Sequence, residues 1–167
     1  MRNDQFRKGE TTTRNNIKKI AALVLSAITL FALCACSPKT EITRETFEAK
    51  AKEKGLTVAA SVTDKPSNAT DVTVVGMTDG TSFVWQVNFC RFPTAEEAKT
   101  AYTSSKAAFD ESSGTSSYTE RNGQATYEKN GDGKFMYVSR VGTTLVYVNI
   151  PEQYKSAAKG FISAIGY

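Results

Sequence analysis

Between Tyr118 and Ile150 the chain is cut into four short runs by turn-forming residues. "YTER" ends at Asn122-Gly123, "QATYEK" at Asn130-Gly131-Asp132-Gly133, "KFMYVSRV" at Gly142, and "TTLVYVNI" follows. Asn-Gly and Asp-Gly are what a two-residue hairpin turn demands, because both of its central residues take positive φ. Runs rich in Val, Tyr, Phe and Thr between such turns form strands. Strands joined this tightly run antiparallel, since a parallel connection needs a crossover of about a dozen residues or more. This meander limits the fold more than any other feature of the chain.

The remaining elements build on it. Thr43 is placed to cap a helix over "RETFEAKAKEK", with Ile42 and Phe47 at the spacing of a hydrophobic staple and Gly55 as the stop. "LTVAASV" (56–62) and "DVTVVGM" (71–77) read as strands around a loop containing Pro66, with Gly76 a candidate bulge. Asp79-Gly80 then turns the chain into "SFVWQVNFCRF". There Phe83, Trp85, Val87 and Phe89 alternate with Val84, Gln86, Asn88 and Cys90, so the aromatic side is the expected core side.

Thr94 and Glu97 make a capping box for a second helix, with a small-residue stripe of Ala95, Ala98, Tyr102, Ser105 and Phe109. "DESSGTSS" reads as a loop. After the meander, Pro151 opens a last helix striped by Tyr154, Ala157, Ala158, Phe161, Ile162 and Ile165. The order is αβββαββββα. It predicts an α+β fold in two layers, a largely antiparallel sheet with helices packed on one face.

The first 35 residues have a different character. A basic segment holding Arg2, Arg7, Lys8, Arg14, Lys18 and Lys19 precedes an apolar run from Ile20 to Leu33. That is the layout of an export signal. The run is shorter than the roughly 20 residues of a membrane-spanning helix, and no Arg-Arg pair precedes it, which favours general secretion. Leu33-Cys34-Ala35-Cys36 resembles the lipobox of bacterial lipoproteins, in which a branched apolar residue and two small residues precede an obligatory cysteine. Cys34 departs from the pattern, which more often has alanine, serine or threonine there.

The resemblance implies that the Cys36 thiol receives a diacylglyceryl group and that a peptidase cuts between Ala35 and Cys36. It also implies a mature protein held on the extracytoplasmic face of the cell membrane. Two acyl chains suit this task, because one chain alone binds a bilayer only reversibly. The competing expectations are a plain signal peptide and a transmembrane anchor. The chain then divides into a leader (1–35), a lipidated N-terminus with a short tether (36–41) and one α+β domain (42–167).

Removing the leader changes the electrostatic and redox arguments. The whole net charge of +4 lies in residues 1–35, and residues 36–167 carry fifteen charges of each sign. The basic isoelectric point therefore gives no reason to expect nucleic acid as a partner. Of the three cysteines, Cys90 alone stays free, without a partner for an intrachain disulfide. It lies in an apolar strand and reads as a small buried hydrophobe. The domain must be held by its core.

The chain contains no histidine, which excludes Ser-His-Asp and Cys-His catalysis and histidine metal sites. No phosphate loop, GxGxxG or GxSxG is present. No catalytic residue, metal or dissociable cofactor is expected; the covalent diacylglycerol on Cys36 is the one added group. "EKNGDGKF" (128–135) has the spacing of calcium ligands in part, but Ser139 stands where a calcium loop needs its bidentate Glu, and a hairpin turn fits better.

The tyrosines fit either of two roles. Across Asn122-Gly123, Tyr118 should meet Tyr127. With a three-residue loop at Val141-Gly142-Thr143, Tyr137 should meet Tyr147. Phe135, Tyr137, Leu145 and Tyr147 would then share a face with Ser139 and Asn149, joined by Gln86 and Asn88. These aromatics either stabilise strand pairs or form an open patch for a peptide, a glycan or an envelope protein. A one-residue slip would reverse the assignment. The functional expectation is a lipid-anchored envelope protein whose domain binds without catalysis. The alternatives are a lipoprotein enzyme using carboxylates and a structural or inhibitory partner of an envelope complex.

Overall fold

The computed structural model of the chain describes residues 39–60, 66 and 68–167. The leader, its cleavage point at Ala35, the lipid site at Cys36 and the 61–62 end of the first expected strand lie outside the described residues. Lys39–Tyr167 fold together as one unit.

Helix α1, Arg44–Glu53, starts where Thr43 Oγ1 accepts the Thr46 N–H at 3.2 Å. Strands β1 (Thr57–Ala60), β2 (Asp71–Asp79) and β3 (Ser82–Arg91) follow. Helix α2, Ala95–Asp110, opens with the expected capping box. Thr94 Oγ1 accepts the Glu97 N–H at 3.2 Å and donates to Glu97 Oε2 at 3.0 Å. The meander is β4 (Thr115–Arg121), β5 (Gln124–Gly131), β6 (Lys134–Val141) and β7 (Thr144–Pro151). Pro151 ends β7 rather than opening a helix. Its missing N–H is tolerated at a strand end. A single 3₁₀ turn, Glu152–Tyr154, then leads into helix α3, Lys155–Ala164.

Among the described residues the seven strands form one sheet in the order β1-β2-β3-β7-β6-β5-β4, antiparallel throughout. The chain leaves β3, crosses to the far edge as α2, and returns strand by strand until β7 closes on β3. That crossing lays α2 over β6 and β7. The segment read as a loop before Tyr118 becomes strand from Thr115, because all seven residues of β4 find partners on β5.

The α+β class and antiparallel sheet stand as read from the sequence; the placement of helices is finer than one layer on another. Helices α1 and α3 share one face, over Val75, Trp85, Val87, Phe89, Phe135, Tyr137, Val146 and Val148. Helix α2 adds cover on the other, over Cys90, Tyr127, Met136, Val138 and Leu145. Successive strand residues point to opposite faces, so β6 and β7 are apolar on both sides.

Gly76 itself is not the bulge: it pairs in register with Gln86, and the irregularity lies one step on, with a consequence for the aromatic stripe of β3. Met77 pairs with Trp85 but Thr78 pairs with Phe83, so the register shifts there. Phe83 turns to the Gly76 side instead of joining Trp85. A Cβ on Gly76 would lie 3.0 Å from Phe83 Cδ1 and run into the Trp85 carbonyl, so this position has no room for a side chain.

Candidate functional site

The turn between β6 and β7 decides what the tyrosines can do. Val141 pairs with Thr144, so the loop is two residues, Gly142 and Thr143, and not three. Gly142 has φ +54°, as the first position of such a turn requires. The register therefore slips by one from the expected pairing. Tyr137 faces Val148 and Tyr147 faces Val138. Tyr118 does meet Tyr127 across Asn122-Gly123.

The slip divides the expected patch. Phe135 and Tyr137 lie under α1 and α3 and are core residues. Burial pushes the Tyr137 hydroxyl up from its ordinary pKa. Leu145 and Tyr147 lie on the α2 face, Leu145 fully buried and Tyr147 packed on Phe109 with ring centroids 5.2 Å apart. Gln86 and Asn88 lie on that face too, since Asn88 is the cross-strand partner of Tyr147.

What remains is a polar shelf beside α2. Gln86, Asn88 and Tyr147 are half-buried and Asn149 is exposed. Gln86 Nε2 donates to Asn88 Oδ1 at 3.4 Å. Burial pushes the Tyr147 hydroxyl up, and its hydrogen bond with Asn149 partly offsets that. The shelf therefore presents neutral amides and one phenol without a fixed charge of its own.

The acids take up local duties. Asp110, at the end of α2, accepts from Lys106 Nζ at 2.6 Å and from the Tyr127 hydroxyl, and these bonds hold it below its ordinary range. Lys106 also lies 4.8 Å from the Tyr127 ring centre. Asp132 accepts from Ser113 N–H and Oγ and is likewise held low. It sits with Gly133 in a hairpin turn between β5 and β6, where the sequence had part of a calcium pattern. Glu128 is shared by Lys155 and Lys159. Where a carboxylate is displaced (Glu45, Asp110, Asp132), the direction is downward, toward a permanent anion rather than a general acid. Cys90 is buried and free, and burial pushes its thiol up to about 12, which leaves it unreactive at neutral pH.

Two features escaped the sequence reading. Lys39 and Glu41, expected in a loose tether, are docked on the sheet end. Lys39 N–H donates to Gln124 Oε1 at 3.0 Å, Lys39 Nζ to Thr126 Oγ1 at 3.1 Å, and Thr143 N–H to Glu41 Oε1. Arg140 is buried on the α2 face beside Met136 and Val138. Its signal was legible as a charge that follows Met136 and Val138 on one side of β6.

Among the described residues no helix is long and apolar enough to cross a membrane. No known protein-family model matches the chain, and no curated protein sequence matches it either.

Proposed function

We propose that the protein is a lipid-anchored module on the extracytoplasmic face of a bacterial cell membrane, and that it binds a partner without converting it. The anchoring rests on the lipobox-like Leu33-Cys34-Ala35-Cys36 behind a basic and apolar leader. One observation carries the binding role: Gln86, Asn88, Tyr147 and Asn149 share one face and are open in part to solvent. Amides and a phenol offer both donors and acceptors, which suits a neutral polar ligand such as a glycan or a peptide backbone.

Mass spectrometry of the native N-terminus tests the anchor. The expected mass is that of a chain starting at Cys36 with diacylglycerol attached, lost in Cys36→Ala. An unmodified Cys36 in the membrane-purified protein would refute it. For the shelf, envelope glycans and peptides are screened against wild type and Asn88→Ala. Binding that is equal in both proteins removes the shelf from the proposal.

A further inference from the structure

Strand β4 is an outer strand of the sheet, and among the described residues no strand pairs with its free side. All of its residues are exposed, and Tyr118 has 51 % of its surface open to solvent. Such an edge presents a row of unpaired N–H and C=O groups. Protein chains blunt it with lysine, proline, a bulge or a very short strand. Strand β4 has none of these. It is 7 residues long, contains neither lysine nor proline, and keeps an unbroken register with β5.

The hairpin turn fixes which backbone groups are free. Asn122 (φ +51°) and Gly123 (φ +75°) form its two central residues, and such a turn closes on a hydrogen-bonded pair, here Arg121 with Gln124. Bonded and non-bonded pairs alternate along an antiparallel ladder. Thr115, Ser117, Thr119 and Arg121 therefore direct their backbone groups to β5. Ser116, Tyr118 and Glu120 direct theirs outward, and these three are symmetric about Tyr118.

We infer that β4 pairs with β4 of a second copy of this chain, antiparallel and centred on Tyr118. In that register Tyr118 exchanges both backbone bonds with its counterpart, and Ser116 of each copy exchanges both with Glu120 of the other. The charges fit the same two-fold: Glu120 meets Ser116 and Arg121 meets Thr115, so no like charges oppose. Parallel pairing in register would set Glu120 beside Glu120 and Arg121 beside Arg121, which is unfavourable. Tyr118 shares the α2 face with Tyr127, so the two Tyr118 rings lie side by side there as a cross-strand aromatic pair. This two-fold match of backbone groups and charges favours a copy over a foreign strand. The pairing goes beyond the polar shelf and does not rest on the lipid anchor. It sets the two Lys39 segments at opposite ends of the paired strands, so two lipids would share one bilayer with the two-fold axis along the membrane normal.

The test is amide hydrogen exchange by NMR on the full chain in excess detergent, over a range of protein concentrations. The Ser116, Tyr118 and Glu120 amides are expected to exchange fast in dilute protein and to slow several-fold as concentration rises. The Ser117 and Thr119 amides, bonded to β5, stay slow throughout. Tyr118→Pro removes one outward donor and no bond to β5, and it should abolish the concentration dependence with the fold retained. If that variant does not fold, Tyr118→Lys decides, because it sets like charges opposite each other on the two-fold. Outward amides that exchange fast at every concentration overturn the pairing. Slow exchange in the most dilute sample overturns it too, since the edge would then be covered within one chain. Concentration dependence that persists in folded Tyr118→Pro or Tyr118→Lys places the association elsewhere. Protection that appears only when other envelope proteins are added assigns the edge to a foreign strand and overturns self-pairing.

Discussion

Phe47 stacks on Phe89 with ring centroids 4.9 Å apart, while the Phe161 ring meets Phe47 edge-on at 5.3 Å. One side chain of α1 thus joins the sheet to α3. It is fully buried, and α1 has little else apolar to offer besides Ala51. Phe47→Ala is expected to destabilise the fold by about 3–5 kcal/mol, the range for deleting a buried aromatic ring. Urea unfolding of the variant measures this. A loss below about 1 kcal/mol would mean that α1 is not held by this contact.

Tyr137 and Tyr147 should respond differently to the same substitution. Tyr137→Ser removes a core ring facing α1 and α3 and is expected to cost about 3–5 kcal/mol. Tyr147→Ser removes a half-buried ring that packs on Phe109, and about 1–2 kcal/mol is expected, with the fold retained. Circular dichroism and urea midpoints for the two variants distinguish them. Equal losses would contradict the opposite placement of the two rings.

Stability should fall as pH rises into the alkaline range. Burial pushes the Cys90 thiol from 9.0 up to about 12, and the Tyr167 hydroxyl from 10.0 up to about 12. Both groups therefore stay protonated in the folded chain while the unfolded chain ionises. Their contribution is complete below the unfolded values and is lost progressively as pH rises toward the folded ones. The urea midpoint is expected to drop between about pH 8 and about pH 11, less steeply in Cys90→Ala. Native Cys90 should resist thiol reagents at about pH 8 and react after unfolding. Rapid labelling of the folded protein would show the thiol to be accessible.

Gly142→Ala tests the docking of the N-terminal segment. Gly142 has φ +54°, and a Cβ there would collide with the Glu41 carboxylate that accepts from Thr143 N–H. The substitution combines backbone strain with loss of that contact, and about 1–3 kcal/mol of destabilisation is expected. Hydrogen exchange should speed up at the Lys39 and Thr143 amides, while the Val146 amide changes little. Unchanged exchange at Lys39 would mean that Gly142 does not govern the docking.

Local chemistry made most of the elements legible. Thr43 and Thr94 cap their helices through hydroxyls placed by sequence, and Asn122-Gly123 fixes the Tyr118–Tyr127 pairing. Gly142 did not mark its loop length, because one glycine suits a turn of two or three residues. The loop is one residue shorter than the expected three, which reversed the face of β7 relative to β6 and divided the expected patch. The placement of α2 depends on which strand β7 joins, a contact between Phe89 and Val146 that is 57 positions apart and leaves no local pattern. Phe83 changed sides through a bulge at Met77 and Thr78 that the alternation of β3 does not reveal.

The docked segment has a mechanical consequence for the proposed anchor. Three peptide links join Cys36 to Lys39, at most about 11 Å of chain. Lys39 is fastened to Gln124 and Thr126, and Tyr167 ends the chain at the same end of the sheet, against Thr144. A lipid on Cys36 would therefore lie within about 11 Å of Lys39, which is fastened to this end of the sheet. The Asp79-Gly80 and Asp132-Gly133 turns lie at the opposite end of the strands, which are about 26 Å long for eight residues. A partner that meets those turns would do so at the end of the sheet farthest from Lys39.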